Sequence, residues 1–128
     1  MTDLLAQVRI DLRGAARDVR RYGFHQCDLY DFDQVWAESI DPARARKCGF
    51  GAIATAITGR PVPDDLMSNP RIAAAYRHLG DYMTAFYGAP TFAAWNDAEG
   101  RAGWEVALLL RKAAAWTPTP AKSESLAA

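Results

Sequence analysis

The chain has 128 residues, half of them hydrophobic and 23% charged, which fits one globular domain and excludes a disordered or fibrous chain. Fifteen Lys and Arg balance fifteen Asp and Glu, so a net charge of zero gives no overall pull toward nucleic acid or an anionic membrane. No apolar run reaches the ~20 residues of a membrane span, no signal-peptide pattern opens the chain, and two cysteines are too few for a disulfide framework; the expectation is a cytoplasmic protein with reduced thiols.

Asp3 to Tyr22 predicts a first helix. Leu5, Val8, Leu12, Ala15, Ala16, Val19 and Tyr22 recur at helical spacing, and Gly23 suits the position just past the end. The other face carries Arg9, Arg13, Arg17, Arg20 and Arg21. Arg9, Arg13, Arg17 and Arg20 form the candidate face for an acidic partner. Set against this are a solvated helix face, which the zero net charge favours, and neutralisation by the acidic segment Asp28, Asp31, Asp33, Glu38 and Asp41. No nucleic-acid binding is expected.

Phe24 to Ile40 shows no steady period; a helical turn over Phe32 to Ala37, capped by Asp31 or Asp33, is the one regular feature it suggests. Asp41-Pro42 then reads as the start of a central helix closed by Gly59. Its stretch from Lys47 to Gly59 is apolar nearly all round: Cys48, Ala52, Thr55 and Gly59 make a line of small residues, and Phe50, Ile53 and Ile57 a bulky line. Such a helix is buried, so the other elements should gather around it. Gly49 and Gly51 each give up ~1 kcal/mol of helix propensity relative to Ala. Close backbone packing is the commoner offset, a bound ligand the rarer.

After a connector from Pro61 to Asn69, Pro70 opens another helix with Ile72, Ala75, Tyr76, Leu79, Tyr82, Met83 and Phe86 on its apolar stripe and His78 on the opposite flank. Ala89-Pro90 restarts the chain toward Trp95. Trp95-Asn96-Asp97-Ala98-Glu99-Gly100-Arg101 reads as a tight corner, with Asn96 or Asp97 capping the last helix, Arg101 paired with Asp97, and Trp95 set against Gly49, Gly51 and Ala52. Glu99 stands at capping-box spacing from Asn96. The last helix runs from Arg101 to Trp116, with Trp104, Val106, Leu109, Leu110 and Ala113 inward. Residues 117–128 read as a disordered tail; its Leu126-Ala127-Ala128 end resembles a protease-recognised degradation tail, set against the commoner case of a tail with no such use. The fold class expected is all-α: one compact domain over residues 1–116, four main helices around the buried central one.

Cys48-x-x-Gly51-Ala52, then Trp95-Asn96-Asp97 with Arg101 and Glu105-Val106, together with Ala15-Ala16, Tyr22-Gly23 and Gln26, resemble the pattern of a bacterial family of short helical proteins of unknown function. The resemblance spans Leu4 to Ala114. Members of that family carry tryptophan in the place of Phe24, glycine in the place of Cys27, and Thr or Ser near Ala102. It implies the helical fold and carries no activity, substrate or catalytic residue.

Two functional readings follow from the residues. One is a small interaction or regulatory module that binds a protein or peptide partner through a helix face. The other is a small-molecule binder or enzyme with a pocket between the central helix and the corner, its candidate site being Cys48, Trp95, Asn96, Asp97 and Arg101, walled by Tyr76, Tyr82, Trp95 and Trp104. His25 or His78 is the candidate base for Cys48. The spacing of His25, Cys27, Cys48 and His78 matches no zinc motif, so no metal is expected, and no cofactor motif is present.

Overall fold

In a computed structural model the described residues are 3–88 and 91–118. They form six α-helices: α1 (Leu4–Tyr22), α2 (Phe32–Trp36), α3 (Gly49–Thr58), α4 (Pro70–Tyr87), α5 (Phe92–Asn96) and α6 (Gly103–Ala115). The described residues contain no β-strand; two isolated bridges join Lys47 to Phe24 and to Tyr30. The fold is an all-α bundle whose main helices are α1, α3, α4 and α6. The expected loop at Ala89-Pro90, the disorder of residues 119–128 and the Leu-Ala-Ala end lie outside the described residues.

α1 starts because the Asp3 carboxylate accepts the Leu5 N–H at 3.0 Å, and stops because Gly23, at φ 105°, turns its N–H back to the Val19 carbonyl. Its stripe of Val8, Leu12, Ala15, Ala16 and Val19 is buried. α1 lies against α3, α4 and α6, with its largest contacts on α6 and α3. Gly14 permits the approach to α3, since a Cβ there would stand 3.2 Å from that of Ala56.

The helix expected from Asp41 does not run through. Asp41 caps a single 3-10 turn, Pro42–Arg44, and α3 begins at Gly49 with Cys48 as its N-cap. Between them the backbone is extended: Lys47 N–H donates to Gly23, and His25 and Asp31 donate to Lys47 and Arg46. The reason is Lys47. Its ammonium is fully buried, bonded to the Asp18 carboxylate at 3.1 Å and to the carbonyls of Ala43 and Ala45 at 2.8 and 2.9 Å, and stacked 5.0 Å from the Tyr22 ring. A continuous helix would spend these carbonyls on itself and leave a buried cation without partners.

The first half of α3 is enclosed, as expected of the central helix: Gly49, Gly51, Ala52, Ile53 and Ala54 are all buried. Close packing accounts for both glycines. A Cβ on Gly49 would strike the Phe92 ring, and one on Gly51 the Leu29 carbonyl. α4 is capped by Asn69, which accepts from Arg71 and Ile72, and is tied to α1 by Arg71 on the buried Asp11 at 2.7 Å. Two expectations for this helix change. His78 is buried and donates from Nε2 to the Ala113 carbonyl at 2.7 Å, while Phe86 is 59% exposed. Trp116, beside the rings of His78, Tyr82 and Phe86, widens the buried side of α4 onto its flank.

Candidate functional site

The corner from Trp95 to Arg101 and the start of α3 do come together, through bonds other than those expected. Asn96 Oδ1 accepts the Gly49 N–H at 3.0 Å, so it serves the first turn of α3 and not of α6. Asp97 accepts from Cys27 N–H and from Asn96 Nδ2, both at 2.9 Å. Gln26 donates to the carbonyls of Asn96 and Ala98. Arg101 does not pair with Asp97. Its Nε donates to the Trp95 carbonyl, its NH1 to Glu105, both at 2.9 Å, and its guanidinium lies 3.9 Å from the Trp95 ring centroid. The cap of α6 is Glu105, whose Oε1 accepts the Ala102 N–H; neither Asn96 nor Glu99 takes that part. The space over Gly49 belongs to Phe92, with Trp95 one step further out against Phe92 and Tyr87.

Cys48 is buried, and its sulfur accepts the Gly51 N–H at 3.4 Å. Burial pushes the thiol above its ordinary value, and Asp97 adds to the rise. The helix start therefore does not make it a thiolate at neutral pH. A hollow of about 130 Å³ does reach it, lined by Cys27, Asp28, Leu29, Phe50, Ala93, Asn96 and Asp97. Tyr76, Tyr82, Trp95, Trp104 and Arg101 are not among its walls. Drug-sized sites take up ~300 Å³ or more. His78 is held at Ala113, and His25 lies 3.8 and 3.9 Å from Asp28 and Asp31. Among the described residues no three His, Cys, Asp or Glu side chains converge as a metal would need. Cys27 sits at φ 75°, a backbone angle that favours glycine.

A second hollow, of about 260 Å³, lies on the far side of the corner between α4, α5 and α6. Tyr87, Trp95, Arg101, Trp104, Glu105, Leu108, Leu109 and Lys112 line it. Trp104, expected inward, is 70% exposed; Tyr87 is 43% and Leu108 37% exposed. Helical geometry gives the reason. Trp104 and Leu108 share a face, and that face is opposite Val106, Leu110 and Ala113, which are fully buried.

The α1 arginines are not neutralised by the acidic segment. Asp31 pairs with Arg46 at 2.7 Å, and Asp18 and Asp11 take Lys47 and Arg71. Arg13, Arg17 and Arg20 are exposed and make no ion pair among the described residues. With Ala16 and with Arg111 of α6 they line a hollow of about 230 Å³. Arg9 leaves this set: its NH2 donates to the Thr117 hydroxyl at 2.6 Å. Nothing local in the sequence signals the part of Arg111, one more charge on a helix face; α6 lying along α1 brings it in.

No described helix is long and apolar enough to cross a membrane. No curated protein matches the chain, and no solved structure does. The model of a family of unknown function, DUF6197, matches residues 5–115, and the chain belongs to that family.

Proposed function

We propose that the protein is a small interaction module that works in the cytoplasm and holds a protein or peptide partner on the outer face of α6. The observation that carries this is the exposure of Trp104, Tyr87 and Leu108 around one hollow floored by Trp95 and Leu109. Aromatic side chains beside a pocket, with Arg101, Glu105 and Lys112 at the rim, have the composition of a binding hot spot. Trp104 and Leu108 point away from the core, where Leu109, Leu110 and Val106 fill the inner face of α6. The small-molecule or Cys48-enzyme reading has less support: its hollow is about 130 Å³, its thiol is pushed up, and Asn96, Asp97 and Arg101 are each engaged in hydrogen bonds of the fold.

A photo-crosslinking amino acid in place of Leu108 tests the proposal in living cells. The expectation is one or a few defined adducts, identified by mass spectrometry, that disappear when Trp104→Ala is added. Absence of adducts, or adducts indifferent to Trp104→Ala, would overturn it.

A further inference from the structure

We propose that the partner segment is acidic beside its apolar anchor, and that its carboxylates sit in the groove formed by Arg13, Arg17, Arg20 and Arg111. This rests on the α6 reading above and names the chemistry of what binds there.

Four guanidinium groups from two helices line this groove, over the small side chain of Ala16. No carboxylate is among the lining residues. The nearby acids are spent elsewhere: Asp18 is locked on the buried Lys47, and Asp11 on Arg71. Like charges gathered without counter-charges repel one another, and an anionic ligand relieves that repulsion while gaining charge-assisted hydrogen bonds. Arg17 and Arg20 also border an open hollow of about 530 Å³ with Arg21, Tyr22 and Asp18, whose carboxylate is the one bonded to Lys47.

The groove and the aromatic hollow are separate, and both border α6. On α6 the exposed residues Trp104, Leu108, Arg111 and Lys112 fall within one side of the helical wheel. Arg111 stands at the α1 edge of that side, whereas Lys112 borders the aromatic hollow at the other. A ligand anchored by an apolar side chain at Trp104 and Leu108 therefore meets arginines on one flank. Nucleic acid fits less well. The exposed apolar side chains of the aromatic hollow and Glu105 at its rim offer nothing to a phosphate backbone, and the net charge of the chain is zero.

The test uses the intact protein and fluorescence anisotropy at physiological salt. Three labelled probes are compared: a short peptide of leucines and glutamates, its leucine–glutamine counterpart, and a short DNA duplex. The expected result is that the leucine–glutamate peptide binds about tenfold or more tighter than the glutamine form, with affinity that falls as salt rises. Arg17→Ala/Arg111→Ala should remove the difference between the peptides without changing the circular-dichroism melt. Equal binding of both peptides would overturn the acidic preference and leave the α6 reading standing. Failure of both peptides to bind would overturn the two together. Tightest binding of the duplex, lost in the double variant, would replace the acidic peptide by nucleic acid.

Discussion

Asn96 ties the end of α5 to the start of α3 across 47 positions of chain, and the pair is buried. Removing the acceptor leaves a buried backbone N–H without a partner. Asn96→Ala is expected to lower the free energy of unfolding in urea by about 1–3 kcal/mol. A change within ~0.5 kcal/mol, the range of ordinary surface substitutions, would show that the bond contributes little. The two thiols separate just as sharply. Cys27 is exposed and Cys48 buried with its thiol pushed up, so maleimide should label Cys27 of the native protein first. Fast, selective labelling of Cys48 would return the nucleophile reading. The burial of Cys48 was legible from its apolar surroundings. Its place as a cap was not, because Asp41-Pro42 is the stronger local start signal and the competing demand of Lys47 is tertiary. In the same way Phe92 gave no sign of being the ring over Gly49; any nearby aromatic fits that space on paper, and Trp95 stood out only by size.

At the scale of elements, α6 opens without a side chain at its N-cap, Ala102, and depends on Glu105 reaching back. The Ala102 N–H, and after it Arg101, hold the Glu105 carboxyl below its ordinary value of 4.5. A carboxyl lowered in the folded state stabilises fully above its unfolded value, and that contribution is lost as pH falls through the folded one. Stability should therefore decline below pH 4.5 more steeply in the wild type than in Glu105→Gln, measured by urea midpoints across the acid range. Parallel declines would show that the carboxylate is not the cap that matters. The helices themselves were largely legible. α1 and α4 run where their periodicity, caps and terminal glycines put them. The break before α3 and the inward turn of His78 were not, since each answers to a residue far along the chain, Asp18 and Ala113. Trp104 differs for another reason: its hydrophobicity suggests the core, but its angular position on α6, opposite Val106 and Leu110, puts it outside.

For the molecule as a whole, two groups of large apolar side chains have different duties. Leu12, Ile53, Leu79, Met83, Val106 and Leu110 are buried at the meeting of the main helices. Tyr87, Trp104 and Leu108 stand outside that core, around a hollow. On the proposed function the first group makes the fold and the second meets a partner. Replacing members of each group by alanine therefore ought to separate stability from binding. Leu110→Ala should cost about 2–5 kcal/mol of stability. The most direct measurement is a thermal melt of Trp104→Ala alongside its capture by the photo-crosslinker at position 108. An unchanged melting temperature and loss of the adduct are expected. A protein that melts substantially lower, or that still forms the adduct, would show that Trp104 belongs to the fold or to nothing, and would overturn a partner-binding role for the outer face of α6.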